Sequence, residues 1–335
     1  MTVGERRNLV VGASGFLGSH VTQRLVERGE SVRVMLRRTS STKAIEGLDV
    51  EKHYGDIFDT EALRAAMDGC DNVFYCVVDT RAWLRDPQPV YRTNVDGLRN
   101  VLDVAKTVDL NKFVFTSTIG TIGIPHDRPA TEDDANEWQD LGGGYIRSRV
   151  EAERLVLRHA EEDGLPAVAM CVANTYGAGD WQPTPHGSLV AAAAAGRMPF
   201  YVNGLATESV GIDDAAEALI LASEKGRPGQ RYIISERYLS LRDLLTTAAE
   251  AVGARPPKVG LPLPLVYRLC ALGDVAARVL RRDLLLSTTS VRLLDVLPPM
   301  DHTKAVQELG WSPGSTLAAV EQAARFFRDR DSSRT

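Results

Sequence analysis

Short apolar runs alternate with amphipathic segments along the first half of the chain, a pattern that predicts strands alternating with helices. The apolar runs predict strands at 8–11, 31–36, 50–54, 72–78, 112–118 and 167–172. Apolar residues at helical spacing predict helices that include 19–28, 90–108 and 145–160. Six such alternations without a hairpin signal predict an α/β fold with a doubly wound parallel sheet. In such a sheet, the ligand lies at the carboxyl ends of the strands.

The alternation weakens from Trp181 onward. We therefore expect a sheet domain over 1–180 and a smaller, mostly helical lobe over 181–330, with segments around 205–235 returning to the sheet domain. Within the second half, a strand is predicted at 231–234 and a helix at 241–252. Two further segments lack regular periodicity. The segment 127–144 is polar, acidic and glycine-rich, which is typical of a mobile surface loop, and 182–187 is typical of an irregular loop.

The stretch 256–286 is proline-punctuated and strongly apolar, especially over 261–286. Three interpretations stay open for it. It could form a core helix of the second lobe, which we favour, or an apolar lid over a lipid-like substrate. Alternatively, it could lie on a membrane surface, an interpretation that only Arg278, Arg281 and Arg282 support.

Three glycines separate the first predicted strand from the first helix, in the spacing Gly-x-x-Gly-x-x-Gly. Gly12 permits a tight turn, Gly15 lets the backbone approach a pyrophosphate, and Gly18 lets the helix pack against the strand. The helix N-terminus would face the anion. Turns use glycine in any case, but the strand–turn–helix context favours a dinucleotide site.

The ends of the next two predicted strands carry candidate nucleotide contacts. Arg37 and Arg38 follow the second strand, about 20 residues past the glycines, where such folds meet the adenosine ribose. Two guanidiniums suit a 2′-phosphate, which favours NADP(H), with NAD(H) possible; the alternative is a solvated basic loop. Asp56 follows the third strand, where it either reaches an adenine amine or caps a turn, and its residue type leaves both open.

The candidate catalytic group combines hydroxyls at the end of the fifth strand with a tyrosine and a cation on the next helix. Ser117 and Thr118 end that strand, and Tyr145 and Arg149, four residues apart, share one helical face. A tyrosine can exchange a proton with a carbonyl or alcohol oxygen, and the cation is expected to lower its pKa toward working pH. Thr118 can hold the same oxygen while a nicotinamide gives or takes a hydride, so no metal is needed.

Composition bounds the function class. The 335 residues are 44% hydrophobic and 25% charged, with a net charge of −5 that gives no electrostatic reason to expect nucleic acid. The four cysteines form no Cys-x-x-Cys pair, so neither disulfides nor zinc is expected and a cytoplasmic location fits. The polar start predicts no signal peptide, and the lack of an uncharged run of about 18 apolar residues predicts no membrane span.

Motifs along nearly the whole chain resemble those of an extended short-chain dehydrogenase/reductase of the NAD-dependent epimerase/dehydratase superfamily. The matching segments are 12–18, 55–57, 94–97, 115–118, 145–153, 176–180 and 301–311. Within that superfamily, segments 83–87, 179–185 and 196–199 resemble bacterial proteins labelled dihydroflavonol-4-reductase-like or hopanoid-associated sugar epimerase.

The resemblance implies roles for particular residues. It implies Tyr145 as the acid/base, Thr118 as the catalytic hydroxyl, and a catalytic part for Asn94 and for Arg149. It also implies Phe16 and Leu17 beside the pyrophosphate, Asp56 and Ile57 at the adenine, and Val77 near the nicotinamide ribose. Taken with the positions argued above, the candidate cofactor contacts are Gly12, Ser14, Gly15, Phe16, Leu17, Gly18, Arg37, Arg38, Asp56, Ile57, Val77, Tyr145 and Arg149. The resemblance also implies a homodimer, with 90–108 and 145–160 as candidate faces.

Three positions depart from the family pattern. Arg149 replaces the lysine that usually follows the tyrosine by four residues, which bears on catalysis. Val172 replaces a proline near the carboxamide, and Gly211 replaces a histidine before Asp213 and Asp214.

Three functions remain open. The first, which we favour, is an NADP(H)-dependent oxidoreductase acting on a carbonyl or secondary alcohol of a small, largely apolar molecule. The second is a nucleotide-sugar epimerase or dehydratase that retains its cofactor, although the apolar second lobe offers few groups for a diphosphate. The third is an NADP-binding protein that has lost catalysis, which Arg149 supports.

Overall fold

Parallel strands supply the frame on which the candidate site is built. The computed structural model describes residues 6–280 and 287–332. Its strands are β1 Arg7–Val11, β2 Ser31–Leu36, β3 Glu51–Tyr54, β4 Asn72–Tyr75, β5 Lys112–Thr118, β6 Ala167–Val172, β7 Asn174–Tyr176, β8 Phe200–Asn203, β9 Ala206–Gly211, β10 Arg231–Ile234, β11 Arg237–Ser240 and β12 Val259–Pro262.

The main sheet has seven strands in the order β3-β2-β1-β4-β5-β6-β10, and every neighbouring pair is parallel. The chain leaves β1 toward one edge and later returns to its other side with β4. This reversal opens a crevice beyond the carboxyl ends of β1 and β4, where doubly wound folds bind ligands. The predicted doubly wound parallel sheet is confirmed.

Helices cover both faces of this sheet, and further helices belong to the second half of the chain, outside the sheet. They are α1 Phe16–Glu27, α2 Thr60–Met67, α3 Gln88–Tyr91, α4 Leu98–Ala105, α5 Gly143–Glu162, α6 Pro185–Ala194, α7 Ile212–Lys225, α8 Leu241–Glu250, α9 Leu263–Leu280, α10 Thr288–Asp295 and α11 Thr316–Ser332. Wide π-helical turns over Arg92–Gly97 join α3 to α4, so the predicted helix at 90–108 is interrupted. Successive β1 residues, Leu9 and Val10, enter different core clusters, because side chains alternate across a strand.

The second half divides between the main sheet and a smaller lobe. β10 extends the main sheet beside β6, and α7 packs against α1. The lobe holds α6, α8 and α11 around β7, β9 and β11, with β9 and β11 antiparallel. The sequence pattern missed this pairing because these strands are short and carry polar residues such as Thr207 and Ser209.

The segment at 127–144 is anchored, so the expected loose surface loop is wrong. The buried Trp138 donates its indole N–H to the Ile122 carbonyl at 2.9 Å. Arg231 donates to the carbonyls of Glu132 at 2.7 Å and of Asp134 at 2.9 Å. These bonds hold the segment that leads into α5.

Two predictions for the second lobe change in detail. Thr184 caps α6 by accepting from the Gly187 N–H at 3.0 Å, so the expected irregular loop at 182–187 includes the start of a helix. α9 buries Val266 and Cys270 but exposes its opposite face, so it is a core helix on one side only. The side chain of Arg278, together with Arg281 and Arg282, lies outside the described residues.

Candidate active site

The turn between β1 and α1 is shaped by Gly12 and Gly18, which leave no room for a Cβ atom unless the backbone shifts. Gly12 has φ +94°, and a Cβ there would lie 2.9 Å from the Cys76 carbonyl carbon. A Cβ on Gly18 would lie 2.3 Å from the Gly12 carbonyl oxygen. Gly15 precedes α1 without a side-chain cap, and the first turn of α1, which includes Phe16 and Leu17, carries no acidic residue. The first N–H groups of α1 therefore remain available to an anion.

The ends of β2 and β3 border the same crevice. The side chains of Arg37 and Arg38 are exposed, and the Arg38 guanidinium lies 5.6 Å from the centroid of the Tyr54 ring. Asp56 accepts a hydrogen bond from the Phe58 N–H at 3.1 Å, so it does cap a turn.

Two apolar residues assigned to the cofactor line the crevice. The partly buried Ile57 packs so closely on Gly97 that a Cβ there would lie 2.3 Å from its Cδ1. The backbone nitrogen of Val77 would lie 3.1 Å from a Cβ on Gly12. Val77 and the glycine turn, with Ser14 within it, thus share one edge of the sheet.

Thr118 and Tyr145 meet beyond the carboxyl end of β5. Thr118 accepts a hydrogen bond from the Gly120 N–H at 3.2 Å, and its hydroxyl lies close enough to the Tyr145 phenol to lower the pKa of that phenol. Ser117 faces the other side of the strand and donates to the buried Glu153 carboxylate at 2.5 Å. Strand alternation therefore selects Thr118, and not Ser117, as the hydroxyl beside the tyrosine.

Burial decides the protonation state of Tyr145. Burial raises the pKa of the phenol above its ordinary 10, while the Arg149 charge and the Thr118 hydrogen bond lower this pKa by less. The expectation that the cation would bring this pKa toward working pH is therefore wrong for the protein alone. At neutral pH the phenol carries its proton and can donate it.

Arg149 is buried between α5 and the sheet. Its Nη2 donates to the Thr116 carbonyl at 2.5 Å, and its guanidinium carbon lies 5.0 Å from the centroid of the Phe115 ring. Burial lowers the pKa of this guanidinium below its ordinary value, with the nearby Tyr145 opposing that effect. Its Nε and Nη1 are buried and have no hydrogen-bond partner among the described residues. Buried donors normally have partners, so these two remain for a ligand or water.

Asn94 acts as a clamp rather than facing the crevice freely. Its Oδ1 accepts from the Asp79 N–H at 2.8 Å, and its Nδ2 donates to the Asp79 carbonyl and to Ser148 Oγ, both at 3.0 Å. Ser148 in turn donates to the Tyr145 carbonyl at 2.7 Å. The amide hydrogens are both used, so Asn94 ties the loop after β4 to the helix that carries Tyr145.

Behind Thr118 and Tyr145 lies a buried ion pair whose role the sequence did not reveal. Glu153 accepts from Arg231 at 2.9 Å and from Thr121 at 2.7 Å. These contacts join α5, β10 and the turn after β5. The only signal in the sequence was a glutamate on the tyrosine's helix, and its partner lies 78 residues away.

The described residues contain no group of acidic, histidine or cysteine side chains that could hold a metal ion. Across the same residues, no helix is long and apolar enough to cross a membrane. The four cysteines are free.

Comparisons with known proteins cover nearly the full chain. The model of the NAD dependent epimerase/dehydratase family matches residues 8–235. The chain is 31% identical over 324 residues to sterol demethylase protein B from Methylococcus capsulatus, covering 96% of this chain and 98% of that protein. It is 28% identical over 329 residues to the 4-hydroxy-2-methyl-3-oxo-4-farnesyl-3,4-dihydroquinoline-1-oxide ketoreductase of Stigmatella aurantiaca, covering 95% and 96%. The crystal structure of gox2253 superimposes with a TM-score of 0.86 at 32% identity, covering 98% and 99%.

Proposed function

Because the chain belongs to the NAD dependent epimerase/dehydratase family, we propose that it is an NADP(H)-dependent oxidoreductase. It would transfer a hydride to or from a carbonyl or secondary alcohol of a small, largely apolar substrate. The observation that carries this proposal is the placement of the Tyr145 phenol beside the Thr118 hydroxyl at the carboxyl end of β5, one helical turn from the buried Arg149, two of whose donors have no partner among the described residues.

The crevice fits a nicotinamide dinucleotide. Cβ atoms on Gly12 and Gly18 would collide with backbone, so the turn stays narrow and the N–H groups of α1 stay accessible to a pyrophosphate. Arg149 keeps two buried donors without partners, and ribose hydroxyls are acceptors of the required kind. Once bound, the nicotinamide supplies or accepts the hydride.

Arg37 supports the choice of NADP(H). Its guanidinium is exposed at the end of β2 and makes no hydrogen bond or ion pair with other described residues. A 2′-phosphate could therefore pair with this guanidinium without displacing another partner. The acidic side chain that would favour a free 2′-hydroxyl is absent from the residues that follow β2, 37–42.

The protein's own residues then handle the proton. In the reducing direction, Tyr145 would donate its proton to the carbonyl oxygen while Thr118 holds the same oxygen by a hydrogen bond. The Arg149 charge, one helical turn away, would stabilise the phenolate that remains. Asn94 and Ser148 keep this part of α5 fixed against the loop after β4.

An apolar substrate is supported by the relatives. The lobe itself is apolar around Tyr176 and His186, where Leu189, Leu205, Leu241, Leu244 and Leu294 enclose a narrow cleft of about 10 Å³ that is too small for a substrate. The names of the two relatives refer to a sterol and to a farnesyl-bearing ketone. Both are largely hydrocarbon.

The burial of Arg149 favours one competing function, a protein that binds NADP without catalysis. A guanidinium does not release a proton near neutral pH, so no relay can run through this residue. The two functions separate when the protein is incubated with NADPH and a panel of ketones while the cofactor absorbance is followed. An oxidoreductase consumes NADPH with at least one ketone, whereas a pure binding protein holds NADPH and consumes none.

A further inference from the structure

One face of α9 is apolar and lies open to solvent. Its residues Leu265, Leu269, Leu272 and Val275 are all exposed, Leu269 by 52% and Leu272 by 68% of the side chain's possible area. Spacings of three and four residues place them in one stripe along the helix. The opposite side is accounted for, because Val266 and Cys270 pack in the core of the lobe.

Two further exposed apolar residues lie on the strands that pack against α9. Phe200 on β8 and Val259 on β12 are direct partners in the parallel pair, and both are exposed. Both strands contact α9. The exposed apolar side chains are therefore not confined to one helix. A larger group of them is typical of an interaction surface rather than of single solvated residues.

The charge around this apolar face is positive. Among the described side chains of 255–277, three are basic, namely Arg255, Lys258 and Arg268, and one is acidic, in a chain whose net charge is −5. That acidic residue, Asp274, accepts hydrogen bonds from the Thr288 hydroxyl at 2.5 Å and its N–H at 3.2 Å. Arg268 is exposed next to Leu269 and Leu272. The rest of the chain carries more acidic than basic residues, so the described part of 255–277, which includes the apolar stripe, is a net positive stretch.

We propose that this stripe, Leu265, Leu269, Leu272 and Val275, docks the protein on an anionic lipid surface, with α9 lying along the interface. An apolar helical face enters the boundary between headgroups and acyl chains, and nearby basic residues are attracted to anionic headgroups. A lipid surface satisfies both the apolar area and the charge. Docking requires neither cofactor nor hydride transfer, so it stands apart from the proposed function.

Vesicle flotation with the full chain tests the docking. The unmodified protein is expected to float with vesicles of phosphatidylcholine and phosphatidylserine at least about tenfold better than with phosphatidylcholine alone, and less well as salt increases. The double variant Leu269→Gln/Leu272→Gln should lose about tenfold or more of this binding. The matched control is Leu141→Gln, which changes a leucine exposed by 51% outside the stripe and should bind normally. Thermal unfolding shows that all variants are folded.

Three results would overturn the proposal. The unmodified protein could fail to float with phosphatidylserine vesicles, or Leu269→Gln/Leu272→Gln could float as well as the parent. Light scattering could instead show a dimer that this variant converts to a monomer without any vesicle binding. The stripe would then be an interface between two copies of the chain.

Discussion

His186 makes the stability of the second lobe sensitive to acid. It lies on α6 with its ring centroid 6.4 Å from that of Tyr176, near the leucines of the cleft. Burial lowers the pKa of this imidazole from 6.5 to about 4. The folded protein therefore binds the proton less strongly than the unfolded chain does.

The sign and size of the effect follow from that shift in pKa. The contribution of the neutral His186 ring to the free energy of unfolding is fully present above pH 6.5. It is lost as the pH falls toward 4, where His186 in the folded protein also takes up a proton. Between pH 7.5 and pH 5, protonation of the unfolded chain at its ordinary pKa costs about 2 kcal/mol of unfolding free energy. This figure is an upper value, since the ring is partly accessible to solvent.

Urea unfolding at pH 7.5 and pH 5 measures this cost. His186→Phe keeps an aromatic contact with Tyr176 and removes the titration, so it should lose about 2 kcal/mol less than the parent between the two pH values. His126→Phe, which changes an exposed histidine, is the control and should follow the parent. Comparing variants cancels the contribution of other titrating groups. If His186→Phe loses as much stability as the parent, the burial argument is refuted.

Three further predictions concern the dinucleotide crevice. Arg37→Ala should reduce the preference for NADP(H) over NAD(H) by about 1.5–3 kcal/mol in calorimetric titrations, and equal weakening of both cofactors would contradict the phosphate contact. Arg149→Met leaves the Thr116 carbonyl without its donor and should weaken cofactor binding and turnover, whereas Arg149→Lys should preserve or raise turnover. Full activity of Arg149→Met would show that the cation at this position has no part in the mechanism. Gly18→Ala places a Cβ 2.3 Å from the Gly12 carbonyl oxygen and should lower the free energy of unfolding by about 1–3 kcal/mol. It should also weaken cofactor binding. An unchanged urea midpoint would contradict the close approach of α1 to the Gly12 carbonyl.

The main sheet was predictable because its strands, apart from the exposed edge strand β3, are largely buried on both faces. For β2, β5, β6 and β10, the bounds predicted from the apolar runs are the same as the observed ones. β9 and β11 were missed because half-polar strands do not stand out as apolar runs. The anchoring of 127–144 was also invisible, since Arg231 lies about a hundred residues further along the chain.

For the site, the sequence predicted which residues to consider but not all of their directions. Thr118 and Tyr145 were expected to meet, and they do, because a strand end and the following helix converge in a parallel sheet. The predicted direction of the Tyr145 pKa shift was wrong, since the burial that raises this pKa depends on packing that the sequence pattern does not encode. The bonds of Asn94 to the backbone of Asp79 depend on a loop whose course the pattern likewise leaves open.

The most direct test of the proposed function is NADPH oxidation by the parent and by Tyr145→Phe, each with a ketone that the parent reduces. The phenol supplies the proton but lies apart from the glycine turn, so the variant should bind NADPH nearly as tightly as the parent. Its turnover should fall by about 100-fold or more. Unchanged turnover in Tyr145→Phe would contradict the assignment of the acid and, with it, the mechanism proposed for this site.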